Sequence, residues 1–303
     1  MSEIRKPLVS IVMCVYNGER YLEGQLNSIL SQTYQNFELL ILDDKSTDNS
    51  LGILKRYCQN DSRIVLIENE RNLGFNKNFE KGIIYSKGEL IAISDQDDIW
   101  LPEKVELLVA NIGDNILIYS NSSLIEGIVD TDQRLDSNLT HIDSPSYKNF
   151  LDSNFLTGHT CMFKKELVKH ITPFGEDVFF YDWWIGFAAS YLGKVKYLDR
   201  VLTRYRIHDS SVMQIFGANS DVKERHYQNK RKQLHLFGAA KFLRPVDKAF
   251  IQTLIRTRDN ASANFLSYLK CFLFICQNHS DLYPWYKKSL PKKLNFLRKQ
   301  CLR

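Results

Sequence analysis

The chain has 303 residues, 44% of them hydrophobic and 25% charged, a balance that excludes a wholly disordered chain and suits one α/β domain with a smaller appendage. The net charge of +5 conceals an asymmetry: residues 222–303 hold 18 Lys and Arg against 4 Asp and Glu, and the first 221 hold 22 against 31. Six cysteines with no Cys-x-x-Cys pair read as reduced, buried or half-buried thiols of a cytosolic protein.

In chain order, Leu8 to Tyr16 is a continuous Val/Ile-rich run, the pattern of a strand buried on both faces. It ends in Tyr16-Asn17-Gly18, a turn, where a secretory signal would need a longer apolar stretch and small cleavage residues. A helix is expected over Glu19–Gln32, a strand over Phe37–Leu42 ending in Asp43-Asp44, and a helix from near Asp48 to Cys58. A strand over Arg63–Ile67, a helix over Phe75–Ser86 and a strand over Leu90–Ile93 follow, the last running into Ser94-Asp95-Gln96-Asp97-Asp98. This alternation predicts a parallel, doubly wound sheet, whose ligands bind at the carboxyl ends of its strands, where the polar clusters fall. Pro102–Asn111 reads as a helix and Ile116–Tyr119 as a strand; Ser120–Ser146 is polar, with a hairpin. Strands are expected at Thr160–Phe163, Val195–Leu198 and Val201–Ile207, and a helix at Phe179–Tyr191. After Ser220 the chain turns helical, basic and aromatic. No apolar run reaches the ~18 to 20 residues of a membrane span; the nearest, Phe265 to Cys276, contains Lys270.

Several groups invite chemistry. Asp95, Asp97 and Asp98 repel one another unless a cation neutralises them. A solvated, helix-capping loop is the alternative, and the place at a strand's carboxyl end favours a divalent metal that clamps a diphosphate. Asp43-Asp44 is either a turn with a cap or a carboxylate for a base or ribose. Asp182, at a helix start beside Trp183 and Trp184, is either an N-cap or a general base of raised pKa. Adjacent indoles cannot both face one core, so at least one is expected to wall a pocket. Arg204, Arg206 and His208 share one strand face, suited to a diphosphate and its metal, or simply exposed.

Together these segments resemble the inverting family 2 glycosyltransferases over roughly Pro7 to His208. The resemblance is carried by Val9-Ser10-Ile11-Val12 with Tyr16-Asn17-Gly18, Ser28-Ile29-Leu30-Ser31-Gln32-Thr33, Asp43-Asp44-Lys45-Ser46-Thr47-Asp48 and Arg71-Asn72-Leu73-Gly74. It continues in Ser94-Asp95-Gln96-Asp97-Asp98-Ile99-Trp100, Asp182-Trp183-Trp184 and Tyr205-Arg206-Ile207-His208. It implies an α/β, GT-A type, Rossmann-like nucleotide-sugar-binding fold with a mixed central sheet. The catalytic domain would span 1–220, with a nucleotide-binding half over 1–100 and an acceptor half over 101–220. A helical C-terminal appendage would follow over 221–303. By the same resemblance Tyr16 packs near the base and Asp44 binds its edge. Asn17, Lys77, Asp95, Gln96 and Arg206 complete the donor site, Lys77 standing where relatives carry an arginine. Asp97 and His208 hold Mn2+ or Mg2+, Asp182 is the catalytic base, and Trp100, Trp183 and Trp184 meet the acceptor.

The implied reaction is metal-dependent transfer of one sugar from a dTDP- or UDP-sugar to a saccharide or lipid-linked acceptor. The processive Gln-x-x-Arg-Trp motif is absent, which favours single transfer. The form of the Asp97 and Asp182 motifs is most similar to the rhamnosyltransferase-like branch that builds bacterial O-antigens and capsules. A nucleotidyltransferase is the first rival, but the loop after the first strand, Tyr16 to Arg20, is poor for a triphosphate. A non-catalytic binding protein is the second; both Asp97 and Asp182 are present against it. The basic, aromatic tail suits the inner face of the cytoplasmic membrane better than nucleic acid, for which no motif exists. The alternative is that the tail packs on the catalytic domain or on a second copy in a homodimer.

Overall fold

A computed structural model describes residues 5–126, 129–134, 142–176, 178–208 and 220–301. Its first part is β1 (Val9–Val15), α1 (Leu22–Leu30), β2 (Phe37–Asp43), α2 (Ser50–Asn60), β3 (Ile64–Glu68), α3 (Phe75–Tyr85) and β4 (Leu90–Ser94). There follow β5 (Ile99–Trp100), α4 (Lys104–Ile112), β6 (Leu117–Glu126), β7 (Val129–Arg134), β8 (Cys161–Lys164), α5 (Val168–Ile171), α6 (Tyr181–Leu192) and β9 (Val195–Ile207). The C-terminal helices are α7 (Ser220–Ala239), α8 (Pro245–Asp259), α9 (Phe265–Gln277), α10 (His279–Leu282) and α11 (Leu290–Gln300).

The strands form one sheet in the order β3-β2-β1-β4-β8-β6-β9-β5, with β7 paired to β6. The strands β1 to β4 pair in parallel. The sheet becomes mixed because β8 runs antiparallel to both β4 and β6, and β5 antiparallel to β9. Alternate residues explain why β1 and β2 are apolar throughout. Val9, Ile11, Met13, Val15, Leu39 and Ile41 face a core built with α1, α2 and α4. Val12, Leu40 and Leu42 face the opposite core with α3 and α6.

Two expectations change. The strands read separately at Val195–Leu198 and Val201–Ile207 are one strand, β9, because irregular register against β6 at Ser120, Asn121 and Ser122 absorbs the polar Asp199-Arg200 step. The division near 220 does not separate two cores. Phe237, Ile251, Leu254, Cys271, Ile275 and Leu297 belong to the same core as Trp184 and Phe187. The Phe187 and Phe237 rings stack at 4.1 Å. Polar ties reinforce the seam: Tyr147 and Tyr191 both donate to Asp247, at 2.7 and 2.9 Å. A buried triad joins Asp152 to Arg258 at 3.0 Å and to the Tyr283 hydroxyl at 2.8 Å. No helix among the described residues is long and apolar enough to cross a membrane.

Candidate active site

The sheet reverses its winding between β1 and β4, and the loops after β1, β2 and β4 meet there. Asn17, at φ 51°, turns the chain off β1. Its side-chain oxygen accepts the Thr47 N–H at 2.8 Å, locking the β1 and β2 loops together. Gln96 reaches across from the β4 loop: its Oε1 accepts the Tyr16 N–H at 2.9 Å, and its Nε2 donates to the Tyr16 carbonyl at 3.2 Å. A Cβ at Gly18 would lie 2.5 Å from that Gln96 oxygen, so this clamp requires glycine. Gln96 thus ties the β4 loop to the end of β1, while the Tyr16 side chain stands 47% exposed.

Asp44 is buried and spends both oxygens within the protein. Oδ1 accepts from Asn69 Nδ2 and Leu73 N–H, each at 2.8 Å, and Oδ2 accepts the Gly74 N–H at 2.9 Å. It closes the Arg71–Gly74 loop. Its neighbour Asp43 is equally buried, and among the described residues its Oδ1 has no hydrogen-bond partner. Lys77 points away from these loops, donating to Glu80 and to the Phe174 carbonyl, both at 2.9 Å.

The acidic loop divides into two groups. Asp97 Oδ2 lies 2.8 Å from His208 Nε2, and Arg206 Nε donates to the Asp97 carbonyl at 2.8 Å. The Arg206 guanidinium also covers the Tyr21 ring at 4.6 Å. Asp97 and His208, both read from the sequence as metal ligands, thus lie side by side. The second group is Asp95, Asp98 and His159, whose ligand atoms all lie within 4.8 Å of one another. Asp98 is fully buried; one oxygen accepts the Arg206 N–H at 3.1 Å, and the other has no hydrogen-bond partner among the described residues. Burial pushes the Asp98 carboxyl up to about 7, with His159 opposing and Asp95 and Asp97 adding to the rise. Burial alone would lower His159, but Asp98 and Asp95 outweigh it and hold the ring above its usual value. Such an oxygen-rich, anionic set with imidazole nitrogen fits a hard divalent ion of the Mn2+ or Mg2+ kind. The unpartnered Asp98 oxygen is the observation that favours the fit.

His159 carried no local signal in the sequence. It lies on a 3-10 turn, Gly158–Thr160, and only the tertiary fold brings it to the acidic loop. Its ring stacks on Tyr205 at 5.0 Å. Beneath it Lys104 is buried, donating to the His159 carbonyl and, at 2.6 Å, to Thr203 Oγ1.

The same turn reaches the candidate base. Gly158 N–H donates to Asp182 Oδ2 at 3.1 Å, while Asn154 Nδ2 and the Trp183 N–H donate to Oδ1 at 3.0 and 2.7 Å. Burial raises the Asp182 carboxyl to about 7; those hydrogen bonds oppose the rise and the Asp95 charge adds to it. Asp182 is thus both an N-terminal anchor of α6 and a carboxyl poised near neutrality.

The tryptophans are corrected to a packing role. Trp100, Trp183 and Trp184 are only 2%, 3% and 6% exposed. Trp183 donates its indole N–H to the Phe150 carbonyl at 2.7 Å, and Trp184 donates to the Ile171 carbonyl at 2.9 Å. Adjacent indoles diverge on the helix, as geometry demands, but both sides of α6 are covered by protein, so neither is left to wall a cleft. Trp100 lies beneath the Lys104 ammonium, 3.8 Å from its ring centre.

Comparison with known proteins adds a family. The profile of Glycosyl transferase family 2 matches residues 10–172. An uncharacterized glycosyltransferase of Haemophilus influenzae is 29% identical over 75% of this chain and 73% of its own length. The Escherichia coli enzyme UDP-Glc:alpha-D-GlcNAc-diphosphoundecaprenol beta-1,3-glucosyltransferase WfgD is 38% identical over 39% of this chain and 47% of its own. Among solved structures, Staphylococcus aureus TarS 1–349 in complex with UDP-GlcNAc superposes with a TM-score of 0.62 at 18% identity, over 97% of this chain and 88% of that one. The mannosyltransferase PcManGT of Pyrobaculum calidifontis, in complex with GDP-Man and Mn2+, gives a TM-score of 0.58 at 15% identity, over 99% and 81%. At these identities the two structures establish the likeness of fold.

Proposed function

The chain belongs to glycosyl transferase family 2, and from that premise we propose that it moves one sugar from a nucleoside-diphosphate sugar to a saccharide hydroxyl, inverting the anomeric centre. The observation that carries this reading is Asp182. It is fixed by three donors, stands near neutrality, and feels the charge of Asp95 in the acidic loop. A base needs that poise: ionised often enough to accept a proton, yet basic enough to take one from a hydroxyl.

Asp182 takes the proton of the acceptor hydroxyl as its oxygen bonds to the anomeric carbon. The bond from that carbon to the diphosphate breaks on the opposite face, and the nucleoside diphosphate leaves with the electron pair. Asp97 and His208 would hold a Mn2+ or Mg2+ ion, with Asp95, Asp98 and His159 alongside, and the ion would neutralise charge on the departing diphosphate. Arg206, anchored on the Asp97 carbonyl and Tyr21, adds fixed positive charge to the same end. Tyr16, at the rim, offers its ring to the nucleobase, and the Asn17 and Gln96 bonds keep that rim in shape.

The donor is a UDP- or dTDP-sugar, a reading that the UDP-GlcNAc bound by TarS supports. The acceptor is a lipid-linked saccharide of the kind named for WfgD, which puts the reaction in polysaccharide synthesis at the cytoplasmic side of the membrane. Rhamnose is the donor sugar favoured by the form of the Asp97 and Asp182 motifs. The test is a panel of nucleotide sugars, dTDP-rhamnose included, with Mn2+ or Mg2+ and a short saccharide acceptor, read by nucleoside diphosphate release and by NMR of the product anomer. Inversion with loss of turnover in Asp182→Asn is expected. A product that retains the donor's configuration refutes the mechanism.

A further inference from the structure

Tyr181 opens α6 one residue before the proposed base, and its ring belongs to the core. It packs on Phe79 with ring centres 4.3 Å apart, and the residue is 6% exposed. Asn76 holds this helix start in place: its Oδ1 accepts the Tyr181 N–H at 3.0 Å, and its Nδ2 donates to the Val178 and Phe179 carbonyls at 2.7 and 3.1 Å. A phenylalanine would make every one of these contacts. The hydroxyl is what needs a reason, because a buried tyrosine ordinarily finds a partner for it. Among the described residues this one has no hydrogen-bond partner. The partnerless side-chain atoms that are fully enclosed belong to Asp43, Asp98, Gln233 and Arg258, so the small exposure of Tyr181 includes its hydroxyl.

The place of this hydroxyl is fixed by the turn Gly158–Thr160. A Cβ on Gly158 would fall 2.0 Å from it, so the missing side chain makes room for it. The Gly158 N–H bonds Asp182, and the next residue, His159, brings its Nδ1 to 3.4 Å from Asp95 Oδ2. Burial pushes the phenol well above its ordinary value of 10, and the charges of Asp95 and then Asp182 add to the rise. The group therefore keeps its proton and feels both carboxylates. In an in-line displacement the base stands at one end and the departing diphosphate at the other. The sugar under transfer lies between them. A hydroxyl that borders both ends and bonds nothing in the protein is in position to bond that sugar.

We propose that the Tyr181 hydroxyl donates a hydrogen bond to an oxygen of the sugar under transfer, and so helps the site to distinguish a nucleotide sugar from its bare nucleotide. This rests on the sugar-transfer reading, and the test separates the two. Titration calorimetry with Mn2+ compares UDP-GlcNAc, UDP-glucose and dTDP-rhamnose with UDP and dTDP, in the unmodified chain and in Tyr181→Phe. Steady-state transfer and thermal melts run alongside. For the donor that the unmodified chain uses, the variant should lose about tenfold in affinity relative to the bare diphosphate, the effect of one neutral hydrogen bond, and kcat/KM should fall in step. Affinity for UDP or dTDP alone and the melting temperature should not fall, since the lost atom bonds no protein group. A variant that transfers sugar with unaltered donor preference and kcat/KM overturns the proposal and leaves the sugar-transfer reading standing. A raised KM for the acceptor with unmoved donor preference overturns it in favour of the acceptor. An equal loss for sugar nucleotide and bare nucleotide, or a lowered melting temperature, overturns it in favour of a structural role. No transfer from any donor by the unmodified chain overturns the reading, and the proposal with it.

Discussion

Asp182 can act as a base only in its ionised form, so the direction of its shift fixes the pH dependence. With the folded carboxyl near 7, kcat/KM should rise through neutrality and level off above it. Asp182→Asn should keep donor affinity and lose about a hundredfold or more in turnover. The same shift acts on stability with the opposite sense. A carboxyl held above its ordinary value of 3.8 binds its proton more tightly in the folded state, so folding loses stability as pH rises from about 4 to about 7. Asp182→Asn removes that slope, which melting temperatures of the two proteins at pH 5 and pH 8 would reveal. At the acidic loop, Asp97→Ala should abolish the metal dependence of nucleoside diphosphate binding while leaving the fold intact, as isothermal titration with and without Mn2+ would measure. His159→Leu should weaken that dependence by about 10- to 100-fold, the usual effect of removing a close neighbour of a metal ligand. An unaltered Mn2+ titration in the His159 variant would confine the metal to Asp97 and His208.

Among the elements, those with an unbroken periodic pattern were legible and those fixed by distant partners were not. The strands β1, β2 and β4 announce themselves by apolar runs, because both their faces are covered. Helices α1 and α3 do so by spacing, and their bounds fall within a few residues of expectation. The two-residue β5 carries no pattern of its own and exists because Ile99 and Trp100 pair with Arg204 and Thr203. The site divides the same way. Asp97, His208 and Asp182 could be singled out because each sits at an element end, Asp97 in an acidic run, His208 after alternating basic residues and Asp182 alone among aromatics. The turn carrying His159 could not, since its partners lie some sixty residues before it in Asp95 and Asp98, and in Tyr205. The tryptophans misled because neighbouring indoles say that two directions are occupied, not whether protein or solvent lies there. The turn offers its own test. A Cβ at Gly158 would fall 2.0 Å from the Tyr181 hydroxyl, whose ring is buried. Gly158→Ala should therefore cost about 1–3 kcal/mol of stability by overpacking. It should also lower turnover by displacing the start of α6, as denaturant unfolding alongside steady-state kinetics would show.

In the whole molecule, the C-terminal helices are continuous with the catalytic core, so chain removal after residue 220 would expose Trp184 and Phe187 instead of trimming an accessory. Breaking the Asp152–Arg258–Tyr283 triad tests that continuity. Arg258→Ala leaves a buried carboxylate uncompensated, and the loss should be about 3–5 kcal/mol in a single urea transition common to all spectroscopic probes. Two separated transitions would mean that the helices fold as their own unit. The overall charge division has a counterpart in this layout, with the acidic loops at the strand ends and the basic surface on the last helices. The short turn at Gly158–Thr160 has a further consequence. Gly158 donates its N–H to Asp182, the proposed base, and His159 stands beside Asp95 and Asp98. On the proposed mechanism, the two ends of the reaction are tied to neighbouring residues of one turn. A substitution that moves this turn should therefore disturb both ends at once.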